Sequence, residues 1–197
     1  MGRAQGWLRT DEYLNTEGAF RKAAATLPLV RHDVQEWKWV LEAVHAAAQG
    51  VFVLGLSRGN GLLTLKSSHA AAWLRAYESG SPWPKKLDLD YFLELYEKTK
   101  HHVLRGSSPS VTEAHDTAME KLNNLRNGFV HFGAQGWSIE LAGLPSICLR
   151  ALEVTDAVIL VSGAVRWRSA AQLQRVRQAS RSLTRNLSAL AVAYEKK

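Results

Sequence analysis

Late in the chain, Arg126, Asn127 and His131 fall within the run Arg126-Asn127-Gly128-Phe129-Val130-His131. A neutral imidazole near pH 7 can take a proton from a hydroxyl, and a guanidinium fork can stabilise negative charge gathering on phosphoryl oxygens. These types suit metal-independent cleavage of an RNA phosphodiester. The ribose 2′-OH would give its proton to His131 while its oxygen attacks the adjacent phosphorus, and Arg126 would meet the charge that builds there. One histidine per chain leaves the departing 5′-oxygen without a general acid, and two copies of the motif in one cleft would supply it.

A structural use is open to the same residues: Arg126 paired with a carboxylate, and His131 at a helix C-terminus, where the dipole favours a cation. Other enzyme signatures are absent. Gly59-Asn60-Gly61 lacks the Gly-Lys-Ser/Thr that a phosphate-binding Walker loop needs, and the chain has no G-x-S-x-G, no H-E-x-x-H and no Cys/His ligand cluster. Glu113, His115 and Asp116 lie close together, as do His101 and His102, and read as a solvated helix face rather than a metal site. No metal and no cofactor is expected.

Charge is distributed unevenly. Residues 1–163 carry 17 Lys/Arg against 17 Asp/Glu, whereas 164–197 carry eight basic residues against Glu195 alone, so the whole net charge of +7 lies in the last 34 residues. Arg166, Arg168, Arg177, Arg181 and Arg185 form a candidate footprint for a phosphate backbone, with Trp167 placed to stack on a base. Alternatively, arginine is simply a good helix former whose long stem covers apolar flanks. No base-reading motif accompanies the stripe.

The elements that must position these residues are helical. Apolar residues recur with the 3.6-residue period, which predicts helices over about 11–26, 33–56, 65–77 and 89–104, the last capped by Asp88. Ser110 followed by Glu113 reads as a capping box opening a helix whose apolar stripe is Val111, Ala114, Ala118, Leu122, Leu125 and Phe129. On an unbroken helix, residues five apart diverge by about 140°. Gly128, a poor helix former, is therefore expected to end or bend the helix and swing His131 back toward Arg126. Trp137–Leu141 reads as the one short extended segment. Pro145 opens a nearly all-apolar helix ending at Gly163, and a last helix over about 167–194 carries Leu173, Val176, Ser180, Leu183, Leu187, Leu190 and Tyr194 as a seam for the core or for a second copy.

The expected architecture is thus an all-α, up-and-down bundle of five to seven helices. Residues 1–32 form an N-terminal helical extension of a domain at 33–197, within one compact unit. With 46% hydrophobic and 22% charged residues, the composition is that of an ordinary globular protein. A single cysteine, Cys148, forms no internal disulfide and fits a reducing, cytoplasmic setting. The N-terminus lacks the apolar region of a secretory signal. Trp39–Ser57 approaches membrane-span length but is interrupted by Glu42, His45 and Gln49, so it reads as a buried helix and no membrane partner is expected.

In Arg126-Asn127-x3-His131 the chain resembles the HEPN family, the higher eukaryote and prokaryote nucleotide-binding helical domains. Their mark is Arg, four to six residues, then His, with a polar residue commonly just after the Arg. The resemblance extends over about 33–190. It implies a homodimeric, metal-independent endoribonuclease of the toxin or defence kind, with RNA as substrate, Arg126 and His131 catalytic, and Asn127 orienting one of them. It also implies a possible protein antitoxin. In the toxins paired with nucleotidyltransferases a Tyr follows two positions after the motif His. Gly133 stands there in this chain, which disfavours regulation by that route. The alternative is a non-catalytic helical module of the same fold that binds RNA, a nucleotide or a protein partner.

Overall fold

A computed structural model describes residues 6–106, 110–131 and 136–196. Seven α-helices run through them: α1 Glu12–Thr26, α2 Trp37–Leu56, α3 Ser67–Ser79, α4 Phe92–His102, α5 Glu113–Val130, α6 Leu144–Asp156 and α7 Ala170–Glu195. The starts of α1 and α7 have a local cause. The Asp11 carboxylate accepts the Tyr13 and Leu14 N–H groups, and the Ser169 hydroxyl accepts that of Gln172, satisfying donors that a first turn leaves unpaired. Gly80, at φ 64°, closes α3 in the left-handed region.

α2 is the central element. Val40, Leu41, Val44, Ala47, Ala48, Val51 and Phe52 are all buried, in one cluster with Phe20 of α1, Leu95 of α4, Leu122 of α5, Leu152 of α6 and Leu183 of α7. Apolar enough to span a membrane by length and composition, α2 instead has 72% of its most apolar window covered by the other helices. Gly50 is where α1 crosses α2 most closely, because a Cβ there would fall on the buried Thr16 side chain. α1 therefore shares the common core.

The α7 seam is spent inside the molecule. Val176, Leu183, Leu187 and Leu190 are buried, and α7 packs on α1 and α6. Trp37 Nε1 donates to the Tyr194 hydroxyl at 3.1 Å, fastening the far end of the seam to the start of α2.

Several expectations need correcting. α4 begins at Phe92 rather than after Asp88. Residues 88–90 are tied sideways instead: Lys66 N–H donates to the Asp88 carbonyl at 3.1 Å and Asp90 N–H to that of Thr64 at 2.9 Å, around an antiparallel Leu65–Leu89 bridge. The cap of α5 is Thr112, not Ser110. His115 performs the reach-back expected of Glu113, its Nδ1 accepting the Thr112 N–H at 3.1 Å. Trp137–Leu141 joins no strand ladder, and no β-strand occurs among the described residues. The Pro145 helix continues beyond Asp156 as a π-helical turn, Ala157–Val161, before Gly163 at φ 59°. The Ser107–Pro109 loop and Gly133 lie outside the described residues.

Of Glu113, His115 and Asp116, Glu113 lies on a solvated face as expected, whereas His115 and Asp116 are engaged by neighbouring helices. His115 Nε2 lies 2.9 Å from Glu153 on α6, and Asp116 accepts from Tyr96 and Lys100 of α4, both at 2.7 Å. Burial alone would lift the Asp116 pKa, but its bonds to Lys100 and Tyr96 outweigh that and hold it below the ordinary value. These contacts pin the start of α5 to both neighbours and so fix where its far end points.

Candidate functional site

The far end of α5 carries Asn123, Arg126, Asn127 and Val130, at the i, i+3, i+4, i+7 spacing of one helix face. Arg126 is half-buried, and its Nη1 donates to Asn127 Oδ1 at 3.0 Å. Among the described residues no carboxylate pairs with it. That removes the ion-pair use of Arg126 and gives Asn127 a concrete task, steadying the guanidinium from the adjacent position.

Gly128 does not break the helix. α5 runs through it to Val130, and His131 is the first non-helical residue, its backbone N–H still bonded to the Asn127 carbonyl at 2.8 Å. The expected bend is therefore corrected. Arg126 and His131 diverge along a regular helix, and no hydrogen bond or ion pair joins them among the described residues. The reason for glycine is tertiary: a Cβ at 128 would stand 2.8 Å from Cη2 of Trp137. That indole lies across the helix and against Phe129, with ring centroids 4.8 Å apart. His131 itself is exposed at the helix end.

Another histidine keeps company with Arg126. His45, on α2, is 4% exposed. Its Nε2 lies 3.3 Å from Asn123 Oδ1, to which it donates, and its ring stacks on Phe92 with centroids 3.9 Å apart. Burial pushes its pKa down to about 4 against the counter-pull of the Asn123 bond, and the Arg126 charge adds to the fall. The imidazole is thus neutral at physiological pH. His45 and Arg126 both line a groove of about 760 Å³ between α1, α2 and α5, which Lys22, Trp39, Glu42 and Val130 also border. His131 is not among its walls. Sequence reasoning passes over His45 and Asn123, because the only available signal is one polar residue on an otherwise apolar helix face.

The arginine stripe divides. Arg166 is exposed and borders a recess of about 460 Å³ together with Arg58 and Tyr13. Arg168 is committed within the fold, 2.9 Å from Asp11 and over the Tyr13 ring. Arg177 is half-buried, with a buried Nε that has no partner among the described residues. Arg181 and Arg185 are exposed, although Arg181 also feels the half-buried Asp156, which accepts from the Ser180 hydroxyl at 2.9 Å. Arg175, left out of the footprint, forks onto Glu17 of α1 at 2.5 and 3.0 Å. Trp167 is not an open stacking surface: it sits half-buried, edge-on to Tyr13, with centroids 6.2 Å apart.

The arrangement can therefore present, among the described residues, a guanidinium with no carboxylate partner at a groove, an exposed imidazole five residues further on at the end of the same helix, and two exposed arginines, Arg181 and Arg185, on a separate helix. Compared with family models, with curated proteins and with solved structures, the chain finds no match in any of the three.

Proposed function

We propose that the protein is a HEPN-like, metal-independent endoribonuclease working as a homodimer. His131 takes the 2′-OH proton, the 2′-oxygen attacks the adjacent phosphorus, and Arg126, steadied by Asn127, stabilises the charge on the phosphoryl oxygens. A second copy brings its own motif to the same cleft and supplies the proton that the 5′-oxygen takes on leaving. The observation that carries this reading is Arg126 itself. A half-buried arginine that pairs with no carboxylate among the described residues, held by its neighbour's amide, keeps its remaining donors for an anion from outside.

The divergence of Arg126 and His131 favours a second reading, a helical module that binds RNA without cutting it. It equally suits an enzyme in which the Arg of one copy works with the His of the other. One experiment separates them: incubation of labelled RNA with the protein in EDTA, beside Arg126→Ala, His131→Ala and an equimolar mixture of the two. Metal-independent cleavage that leaves a 2′,3′-cyclic end and is lost in each variant is the expected result; partial return in the mixture assigns the Arg of one copy to the His of the other. Equal residual cleavage in both variants and the mixture refutes the catalytic assignment. RNA binding with a steep salt dependence and no cleavage establishes the binding module instead.

A further inference from the structure

Between the end of α2 and the start of α4, residues 57–91 leave the bundle as an arm. It is closed at its base by the Leu65–Leu89 bridge, by Asp88 N–H donating to His69 Nδ1 at 2.7 Å, and by Lys98 of α4, which reaches the Leu65 carbonyl and Asp90 at 2.7 and 2.6 Å. Above that base, α3 buries only Ala76. An amphipathic helix normally derives its stability from a covered apolar face, and this one leaves Leu74 and Tyr77 exposed and Trp73 only half-buried.

Those side chains form a stack. Trp73 and Tyr77, one turn apart on α3, lie nearly parallel, with ring centroids 5.6 Å apart and planes 7° apart. Trp83, from the loop after α3, closes on Trp73 at 4.9 Å and on Tyr77 at 6.4 Å. Tyr77 is 67% and Trp83 56% exposed, so flat ring faces stand open to solvent. Water disfavours such surface, and soluble proteins rarely leave a cluster of it uncovered without a use.

We propose that this three-ring platform binds single-stranded RNA by base stacking. The inference rests on the ribonucleolytic reading for the kind of polymer and on the arm itself for the site. Every base has a π face, and aromatic side chains hold successive bases with little regard to sequence. The charge of the arm agrees. It carries Arg58, Lys66, Arg75, Lys85 and Lys86 against Glu78, Asp88 and Asp90. Lys86 and Asp88 engage each other at 3.2 Å and Asp90 is engaged by Lys98, which leaves Arg58, Lys66, Arg75 and Lys85 against Glu78 to meet a phosphate backbone. Leu89, at the base of the arm, also borders the groove that contains Arg126. A strand laid on the platform is thus held by the arm whose base meets that groove, and the platform serves as a positioning surface that makes no contact with the reacting phosphate.

The test is the affinity of the full-length protein for a short, labelled, single-stranded 2′-O-methyl oligouridine, which 2′-OH chemistry cannot cut. Tyr77→Ala and Trp83→Ala are each expected to weaken binding about tenfold with an unchanged salt slope, because stacking is lost and no phosphate contact is. Tyr77→Phe and Trp83→Phe keep a ring and are expected to stay within about twofold of the parent. A duplex of the same length, with its bases already paired, should compete poorly. The proposal fails if the alanine variants keep the parent circular dichroism and bind equally well, if the parent does not bind, or if the substitutions change only self-association. Platform binding without RNA cleavage sinks the ribonuclease alone; cleavage with no effect of the ring substitutions sinks the platform alone.

Discussion

Acidification from about pH 8 to about pH 5 charges the His45 imidazole in the unfolded chain but not in the folded one, which makes this residue a sharp test of how the candidate groove is built. The folded-state pKa is about 4 against an ordinary 6.5, chiefly through burial. Stability from keeping His45 neutral is complete above 6.5 and is lost as pH falls through that value toward 4. The loss is about 2 kcal/mol by pH 5 and about 3 kcal/mol at completion. Urea unfolding followed by circular dichroism across that range measures it. Carboxylates titrate in the same window, so the informative quantity is the difference between the parent and His45→Gln, which keeps a donor for Asn123 but has no proton to gain. His45→Gln is expected to lose about 2 kcal/mol less than the parent between the two pH values. Arg126→Gln, which removes a neighbouring cation, should shrink the loss in the parent. Identical pH dependence in the parent and His45→Gln would refute both the depressed pKa and the coupling of α2 to the motif helix.

Gly128→Ala ought to stabilise an ordinary helix interior by about 1 kcal/mol, yet the crowding against Trp137 cancels that gain; Trp137→Ala in the same chain should restore it, and a double-mutant cycle on unfolding free energy checks this. Cys148 is fully covered, with burial pushing its thiol up to about 12. A thiol-reactive disulfide reagent should therefore modify it only as fast as the protein opens, and immediate stoichiometric reaction of the native protein would contradict the core described above.

What could be read directly were the periodic elements. α2 and α7 stand where their apolar spacing places them, because a stripe wide enough to face a core leaves little choice of period or face. Element starts were less legible. Ser110/Glu113 and Thr112/His115 lie two residues apart and offer competing first turns, and a histidine ring standing in for the usual carboxylate decides between them. Gly128 was misread for a physical reason: helix propensity is worth about 1 kcal/mol, whereas the space a residue may occupy is set by the indole that lies on it. His45–Asn123 spans 78 residues and needs α2 beside α5 before either side chain has a meaning. The exposed rings of α3 are invisible in the same way, since nothing local says that a tryptophan will be left outside.

Glu17 of α1 and Arg175 of α7 are separated by 158 residues, and Asp11–Arg168 and Trp37–Tyr194 repeat the same long closure. The bond to Arg175 is the main reason the Glu17 carboxyl stays below its ordinary pKa despite burial. During synthesis the α1–α2 hairpin can form early, since its contacts are local, but it does so with the Glu17 carboxylate still lacking Arg175. The interval before α7 emerges is thus a vulnerable one, in which the half-made bundle presents its stickiest surface to other nascent chains.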